Sequence, residues 1–255
     1  MKKIIASALL AVMAVAAFSG CSSKKDQFVV GFDKEFPPMG FVDSDGNYVG
    51  FDLEVAEEVA NRLDMEFVAQ PVDWDSKDLE LSSGNIDCIW NGFTMNNRED
   101  KYEWTEAYMD NAQVVVVKND SSINTLADLE GKIVCVQKES SGQAAIEDNA
   151  ELLASFDELI TTDTYLNALM QLDAGAVDAI VMDEIVARYQ IQQSGYDFRI
   201  LDETVSSEEY GVGFLLGNTE LRDDVQATLE EMAADGTLAE ISTKWFGSDI
   251  TTISK

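Results

Sequence analysis

Histidine does not occur in this 255-residue chain. Its absence removes the commonest general base, the Ser-His-Asp arrangement and most transition-metal sites together. Cysteine is scarce, with three residues in all. Cys21 ends an apolar leader, while Cys88 and Cys135 each sit in an apolar strand pattern, where a buried free thiol is the ordinary role. These two fall in different halves of the chain, which argues against a disulfide between them. Basic residues are few as well: 17 against 48 acidic ones, for a net charge of −31. Lys2 and Lys3 belong to the leader, so the remainder is more acidic still. Nucleic acid is therefore an unsuitable partner, and so much acid reads as a solvated, soluble surface. What is present in quantity is apolar: 46% hydrophobic residues suffice for ordinary packed cores, in one large domain or two lobes.

Residues 1–20 read as a signal peptide: a basic start (Lys2, Lys3), an apolar run from Ile4 to Phe18, then small residues. The run is shorter than the roughly twenty residues needed to cross a bilayer. Ser19-Gly20-Cys21 resembles a bacterial lipobox, with Phe18 where an aliphatic residue is usual. Cys21 is thus expected to be lipidated, with 21–27 as a short polar tether. The expected location is extracytoplasmic, lipid-anchored to a bacterial membrane at the cell surface or in a periplasm. An uncleaved anchor gives much the same location.

Strand and helix patterns then alternate. Phe28–Asp33 reads as a buried strand followed by a loop that Pro37 and Pro38 hold irregular. Asp43–Asn47 superficially suggests a calcium loop, but Asp-Gly between extended segments reads as a hairpin turn. Residues 50–65 form an amphipathic helix with Val55, Val59 and Leu63 aligned, and a strand and short helix lead on to a central stretch, IDCIWNGFTMNNRED (86–100). Val114–Lys118 is a strongly apolar strand, and the turn-rich residues 119–132 read as a crossing between lobes. Strand, loop and helix follow over 133–146, then two more helices, separate strands at 198–201 and 209–216, and two closing helices.

The central stretch carries the chemistry. Beyond the carboxyl end of such a strand a small ligand binds, within reach of Asn91, Gly92 and Thr94. Arg98 follows as a planar cation suited to a carboxylate. LSSGNIDCIWNG (81–92) recurs in altered form as LDAGAVDAIVMD (172–183), which implies two related lobes and sets Asp183 where the first repeat has Gly92. An arginine from one lobe and an aspartate from the other suit the two ends of a zwitterion. The same pattern is also the generic way a helix stops at glycine and a buried strand begins. Gln137, Ser140, Ser141 and Gly142 place donors at a helix amino terminus, which favours an anion, although a serine there also serves as a helix cap. Asp183 is likewise an ordinary first-turn residue. Trp74 reads either as core or as a ligand wall.

In this order and spacing, GFDLEVAEEVA, GNIDCIWNGFT, LADLEGKIVCVQ, AGAVDAIVMDE and DGTLAEISTKWFG resemble the polar amino-acid-binding proteins of bacterial ABC importers, of the type II periplasmic binding fold, from Phe28 to about Gly247. The resemblance implies an α/β chain of two lobes, each a mainly parallel sheet flanked by helices, joined by two hinge segments. Lobe one would comprise 28–117 plus 211–255 and lobe two 118–210. Residue by residue, Asp33 falls at the acid that reads the ligand side chain, and Phe36 and Trp74 at aromatic walls. Gly92 and Thr94 fall at the groups holding the amino and carboxylate ends, and Asp183 at the partner of the ammonium. Gln137, Ser140, Ser141 and Gly142 match the second-lobe loop. The family's carboxylate-binding arginine comes one position later than Arg98, where this chain has Glu99, so a loop one residue shorter is expected to bring Arg98 to the carboxylate. Glu139 replaces a common glycine.

The function so implied is a monomeric receptor that holds a free polar or basic L-amino acid between closing lobes. Its partners are the permease and ATPase subunits of an importer, with no cofactor, no metal, no catalysis and no nucleic acid. An acidic ligand would need another nearby cation. The alternative from the same resemblance is a cyclohexadienyl (prephenate or arogenate) dehydratase-like enzyme, with Asp33, Glu139 or Asp183 as its acid. A sensor ectodomain is a third reading, which the lack of a later membrane span disfavours.

Overall fold

Two alternations of strand and helix, joined by a pair of crossing strands, build the computed structural model, which describes residues 26–253. The expected signal peptide, the lipidation site Cys21 and the tether as far as Lys25 lie outside the described residues. The first alternation runs through β1 (Gln27–Phe32), the short strands β2 (Glu35–Phe36), β3 (Gly40–Val42) and β4 (Tyr48–Val49), α1 (Phe51–Arg62), β5 (Glu66–Pro71), α2 (Lys77–Ser82) and β6 (Cys88–Thr94). After β7 (Glu103–Trp104) the chain crosses on β8 (Met109–Lys118) into β9 (Ile133–Gln137), α3 (Ser141–Asp148), α4 (Ala150–Ser155), β10 (Glu158–Thr162), α5 (Tyr165–Ala174), β11 (Ala179–Asp183) and α6 (Glu184–Ser194). It returns on β12 (Phe198–Phe214) and closes with α7 (Thr219–Asp235) and α8 (Thr237–Phe246).

The main sheet has the order β10-β9-β11-β8-β12-β6-β1-β5. Read from either end it repeats one plan. A central strand (β1 or β9) is flanked by two parallel neighbours, and an antiparallel strand from the crossing pair closes each set. The internal repeat has a physical basis in this plan. Gly84 and Gly175 follow α2 and α5 in the left-handed region, at φ 75° and 72°. Asp87 and Asp178 then accept the backbone N–H of Val29 (2.7 Å) and Ile133 (2.9 Å), fixing β6 against β1 and β11 against β9.

Side-chain pattern explains the packing. Val55, Ala56, Val59 and Ala60 form the buried face of α1, while Glu58 and Arg62 pair on its outer side at 2.8 Å. Cys88 and Cys135 lie buried as free thiols in β6 and β9. At the β3–β4 turn, Asp43 accepts the N–H groups of Asp45 (2.9 Å) and Asn47 (2.8 Å), so that acidic loop is the expected hairpin turn.

Two expectations need correction. Residues 198–201 and 209–216 are not separate strands: β12 runs unbroken from Phe198 to Phe214, its irregular register between Ile200 and Thr204 absorbed along β8. Nor does the chain cross at 119–132. Val114, Val115 and Val116 of β8 already pair with Met182, Val181 and Ile180 of β11. The turn-rich stretch instead wraps as a short 3-10 turn, Leu126–Leu129, capped reciprocally by Thr125 and Asp128, and buries Leu129 in the second half's core.

Candidate ligand-binding site

The carboxyl ends of β1, β6, β9 and β11 converge where the two halves face each other. Side chains just beyond them enclose a cavity of about 10 Å³, lined by Phe36, Trp74, Asn91, Gly92, Thr94 and Arg98 from one half and Gln137, Ser140, Ser141 and Asp183 from the other. That is space for about one water, and the halves touch across the gap through Asp33 with Gln137 and Asp75 with Lys138.

Asp33 holds the closure rather than lining the cavity. Its Oδ2 accepts from Gln137 Nε2 at 2.8 Å across the gap, its Oδ1 from the Glu35 amide at 2.8 Å, and its own amide donates to Asn91 at 2.9 Å. Burial raises its carboxyl above the ordinary range. Asn91 thus ties the end of β1 to β6. The Phe36 ring lies 6.0 Å from Tyr165 of the opposite half, and Trp74 stands edge-on to Phe93 at 5.6 Å, leaving both as cavity walls.

Gly92 takes φ 54°, and its amide donates at 2.6 Å to Asp52, a buried α1 carboxylate that also receives the Tyr108 hydroxyl at 2.9 Å. The Gly92 amide is thus occupied within the protein. A Cβ on Gly92 would stand 3.0 Å from Tyr210 and 3.1 Å from Phe36, so glycine is needed for space as well as for conformation. Burial raises Asp52 to about 7.

The loop after β6 is a tight turn: the Arg98 amide donates to the Met95 carbonyl at 2.9 Å, with Asn97 at φ 64°. This turn brings Arg98 back over Phe93, 5.1 Å from the ring, with Nη1 donating to the Thr94 carbonyl at 3.2 Å. Glu99 is exposed. Arg98 therefore stands on the cavity wall with no ion-pair partner among the described residues.

On the opposite wall, Asp183 accepts from Tyr210 at 2.6 Å and from Asn111 at 2.9 Å. Asn111 Nδ2 also donates to Glu208 at 3.0 Å, and the same Glu208 oxygen receives Gln113 Nε2 at 3.1 Å and the Thr94 hydroxyl at 3.1 Å. Burial, with the Glu208 charge behind it, raises Asp183 well above the ordinary carboxylate range. Asn111, Gln113, Glu208 and Tyr210 were not singled out in the sequence. They sit on the two crossing strands, whose pairing of Asn111 with Glu208 no local pattern announces.

In the second-half loop, Ser140 is the helix cap, accepting the Gln143 amide at 3.1 Å. Ser141 faces inward, where its Oγ accepts from Gln113 Nε2 at 3.2 Å and its hydroxyl donates to Thr94 Oγ1 at 3.2 Å, since the Thr94 proton is taken by Glu208. Gly142 is not on the cavity wall. A Cβ there would meet Gln113 Oε1 at 2.5 Å, so its place reflects the close approach of α3 to β8. Glu139 holds the left-handed conformation, φ 56°, which a glycine adopts freely.

Beyond Trp74 and Asp33 the gap opens into an outer cleft of about 360 Å³ walled by Glu35, Asp73, Asp75 and Asp163, with Lys34 and Lys138. Lys138 bridges the halves to Asp75 at 2.7 Å.

Comparison with known proteins fits this geometry. A model of the bacterial extracellular solute-binding proteins, family 3, matches residues 28–248. The chain belongs to that family. As a family-3 protein it is 31% identical to the L-cystine-binding protein TcyJ of Escherichia coli, over 96% of each chain. It is 30% identical to the L-cystine-binding protein TcyA of Bacillus subtilis, over 98% of this chain and 99% of that one. Among solved structures, a Streptococcus pneumoniae ABC uptake transporter substrate-binding protein with bound histidine superposes with a TM-score of 0.86 at 35% identity, covering 89% of this chain and 94% of that one. The fold is thus the two-lobed α/β fold of type II periplasmic binding proteins, and these relatives are binding proteins rather than enzymes.

Proposed function

We propose that this family-3 protein is an extracytoplasmic receptor that captures a free polar or basic L-amino acid and delivers it to the permease and ATPase subunits of an ABC importer. The observation that carries the reading is that Arg98 and Asp183, neither paired with an opposite charge among the described residues, line one cavity between the lobes from opposite halves. A zwitterion satisfies both at once. Its carboxylate meets the Arg98 guanidinium and the α3 amino terminus, and its ammonium meets Asp183. The Thr94 hydroxyl has a single proton and a carboxylate, Glu208, within reach, so it donates there and turns a lone pair to the ammonium. The Gly92 carbonyl adds a further acceptor. The side chain then leaves between Phe36 and Trp74 toward Asp33 and the outer cleft, whose excess of carboxylates favours a cationic or polar end.

Capture is a closure. Opening parts Asp33 from Gln137 and Asp75 from Lys138, and a ligand bridging both lobes restores the closed form that an importer would recognise. The lobes divide on β8 and β12, at about 112 and 207, where those strands pair with each other between the two halves of the sheet. A lipid on Cys21 would hold the receptor, a monomer, at the membrane. Thermal unfolding of the ligand-stripped protein against the free amino acids, L-cystine, prephenate and arogenate tests the reading. A ligand at a hundredfold over its Kd adds about 2.7 kcal/mol, a readily visible shift in Tm. A shift with one or a few amino acids, recovered unchanged, supports the receptor; no shift with any of them, or recovery of product, contradicts it.

A further inference from the structure

Near the cavity lies Lys77, a buried cation whose placement the fold itself does not explain. It is the first residue of α2, at the end of the helix dipole that disfavours a cation, and it is only 4% exposed. Among the described residues its ammonium has one hydrogen-bond acceptor, the Trp74 carbonyl at 3.2 Å, and lies 5.0 Å over the Trp74 ring. No carboxylate of the described residues stands within ion-pair distance. The acidic groups around it are engaged elsewhere: Asp75 pairs with Lys138, and Asp78 accepts the Tyr102 hydroxyl. Burial, helped by the Arg98 charge and opposed by Asp78, Glu139 and Asp75, lowers the Lys77 amine to about 8. A buried, under-bonded cation at the wrong end of a helix destabilises a fold unless an anion arrives to meet it.

The anion's place is given by the surroundings. Lys77 borders a recess of about 360 Å³ between the lobes; Arg98 and Lys101 line it with Ser140 and Ser141, and carboxylates, Asp78, Glu139 and Glu208 among them, stand on its other walls. Arg98 and both serines also border the cavity between the lobes, so the recess and the cavity share the wall where a ligand carboxylate would rest. We propose that Lys77 is a second contact for the ligand's α-carboxylate, beside Arg98, so that this receptor takes only ligands with that carboxylate free. The inference rests on the amino-acid-receptor reading above and adds a residue to its anion end. It also gives the tight turn at Arg98 a counterpart: a guanidinium drawn back by a short loop shares the carboxylate with an amine from α2.

The experiment compares wild type, Lys77→Met and Lys77→Gln in thermal unfolding and titration calorimetry. The probes are L-arginine and L-histidine with their α-amides, L-argininamide and L-histidinamide, and L-cystine and L-glutamine as further free acids. Lys77→Met is expected to raise the Tm of the ligand-free protein, since it removes an unpaired buried charge, and to weaken binding of the free acids tenfold to a hundredfold. The α-amides should bind wild type and variant within about threefold of each other. Equal affinity of wild type and both variants for every free acid overturns the proposal. So does equal weakening of acids and amides with a lowered ligand-free Tm, the outcome for a merely structural lysine. If wild type binds none of these probes nor any other free amino acid, it is the receptor reading that fails, and the proposal with it.

Discussion

Asp183 and Asp52 are both buried carboxylates, yet they serve different ends. Asp183 must be ionised to hold an ammonium, and burial beside Glu208 opposes that ionisation. Affinity for a zwitterion is therefore expected to fall as pH is lowered below neutrality. Asp183→Asn should weaken binding more than tenfold while leaving the ligand-free Tm unchanged or raised, as calorimetry and thermal unfolding together would show. Asp52 holds the Gly92 amide, and its carboxyl is raised from 3.8 to about 7. Between those values the folded chain binds a proton that the unfolded chain releases, so stability declines as pH rises from about 4 to about 7. The slope per such group is at most about 1.4 kcal/mol per pH unit. Asp33 and Asp183, raised in the same direction, add to it in the ligand-free protein. Urea denaturation at pH 5 and pH 8 should show the higher stability at pH 5, with a flatter profile for Asp52→Asn; equal stability at the two pH values would count against the buried-acid assignment. What the sequence disclosed at this scale was chemistry that announces itself by residue type, as with Arg98, Thr94 and Asp183. Lys77 and Glu208 were not singled out, because their burial is decided by chain that arrives from elsewhere.

Among the elements, the loop between β9 and α3 carries the clearest local strain. Glu139 adopts a left-handed conformation that costs a side-chain-bearing residue about 1–2 kcal/mol, partly offset by the greater chain entropy that glycine loses on folding. Glu139→Gly is expected to stabilise the protein by up to about 1 kcal/mol, read as a higher urea midpoint at unchanged slope. Across the same gap, Lys138 and Asp75 form an exposed pair at 2.7 Å, which solvent and salt screen. Lys138→Ala should thus weaken ligand binding less than about fivefold, and the difference should vanish in 0.5 M salt. Local periodicity located α1, β6, β11 and α5, whose apolar faces and glycine stops are written within each segment. It misplaced the crossing and divided β12, because polar residues such as Asp202 and Glu203 interrupt the strand pattern there, while continuity is imposed by pairing with β8. Gly142 shows the same limit: a glycine at a helix start reads as a free amide, whereas here it admits the Gln113 side chain.

The molecule as a whole is two copies of one plan facing each other across β8 and β12, with the ends of equivalent strands meeting: Asp33, just after β1, accepts from Gln137 at the end of β9. That arrangement makes closure the natural motion and places opposite charges, Arg98 and Asp183, on opposite lobes. Small-angle scattering of the ligand-stripped protein should give a radius of gyration that falls when the ligand is added, and unchanged scattering would argue against an opening receptor. The most direct test of the central claim is titration calorimetry of the purified, ligand-stripped protein with the amino acid that raises its Tm most, wild type beside Arg98→Ala. One ligand per chain is expected for wild type, and a loss of about 3 kcal/mol or more, over a hundredfold in Kd, for a variant whose ligand-free Tm is unaltered. Binding of undiminished affinity by Arg98→Ala would contradict the placing of the ligand between Arg98 and Asp183.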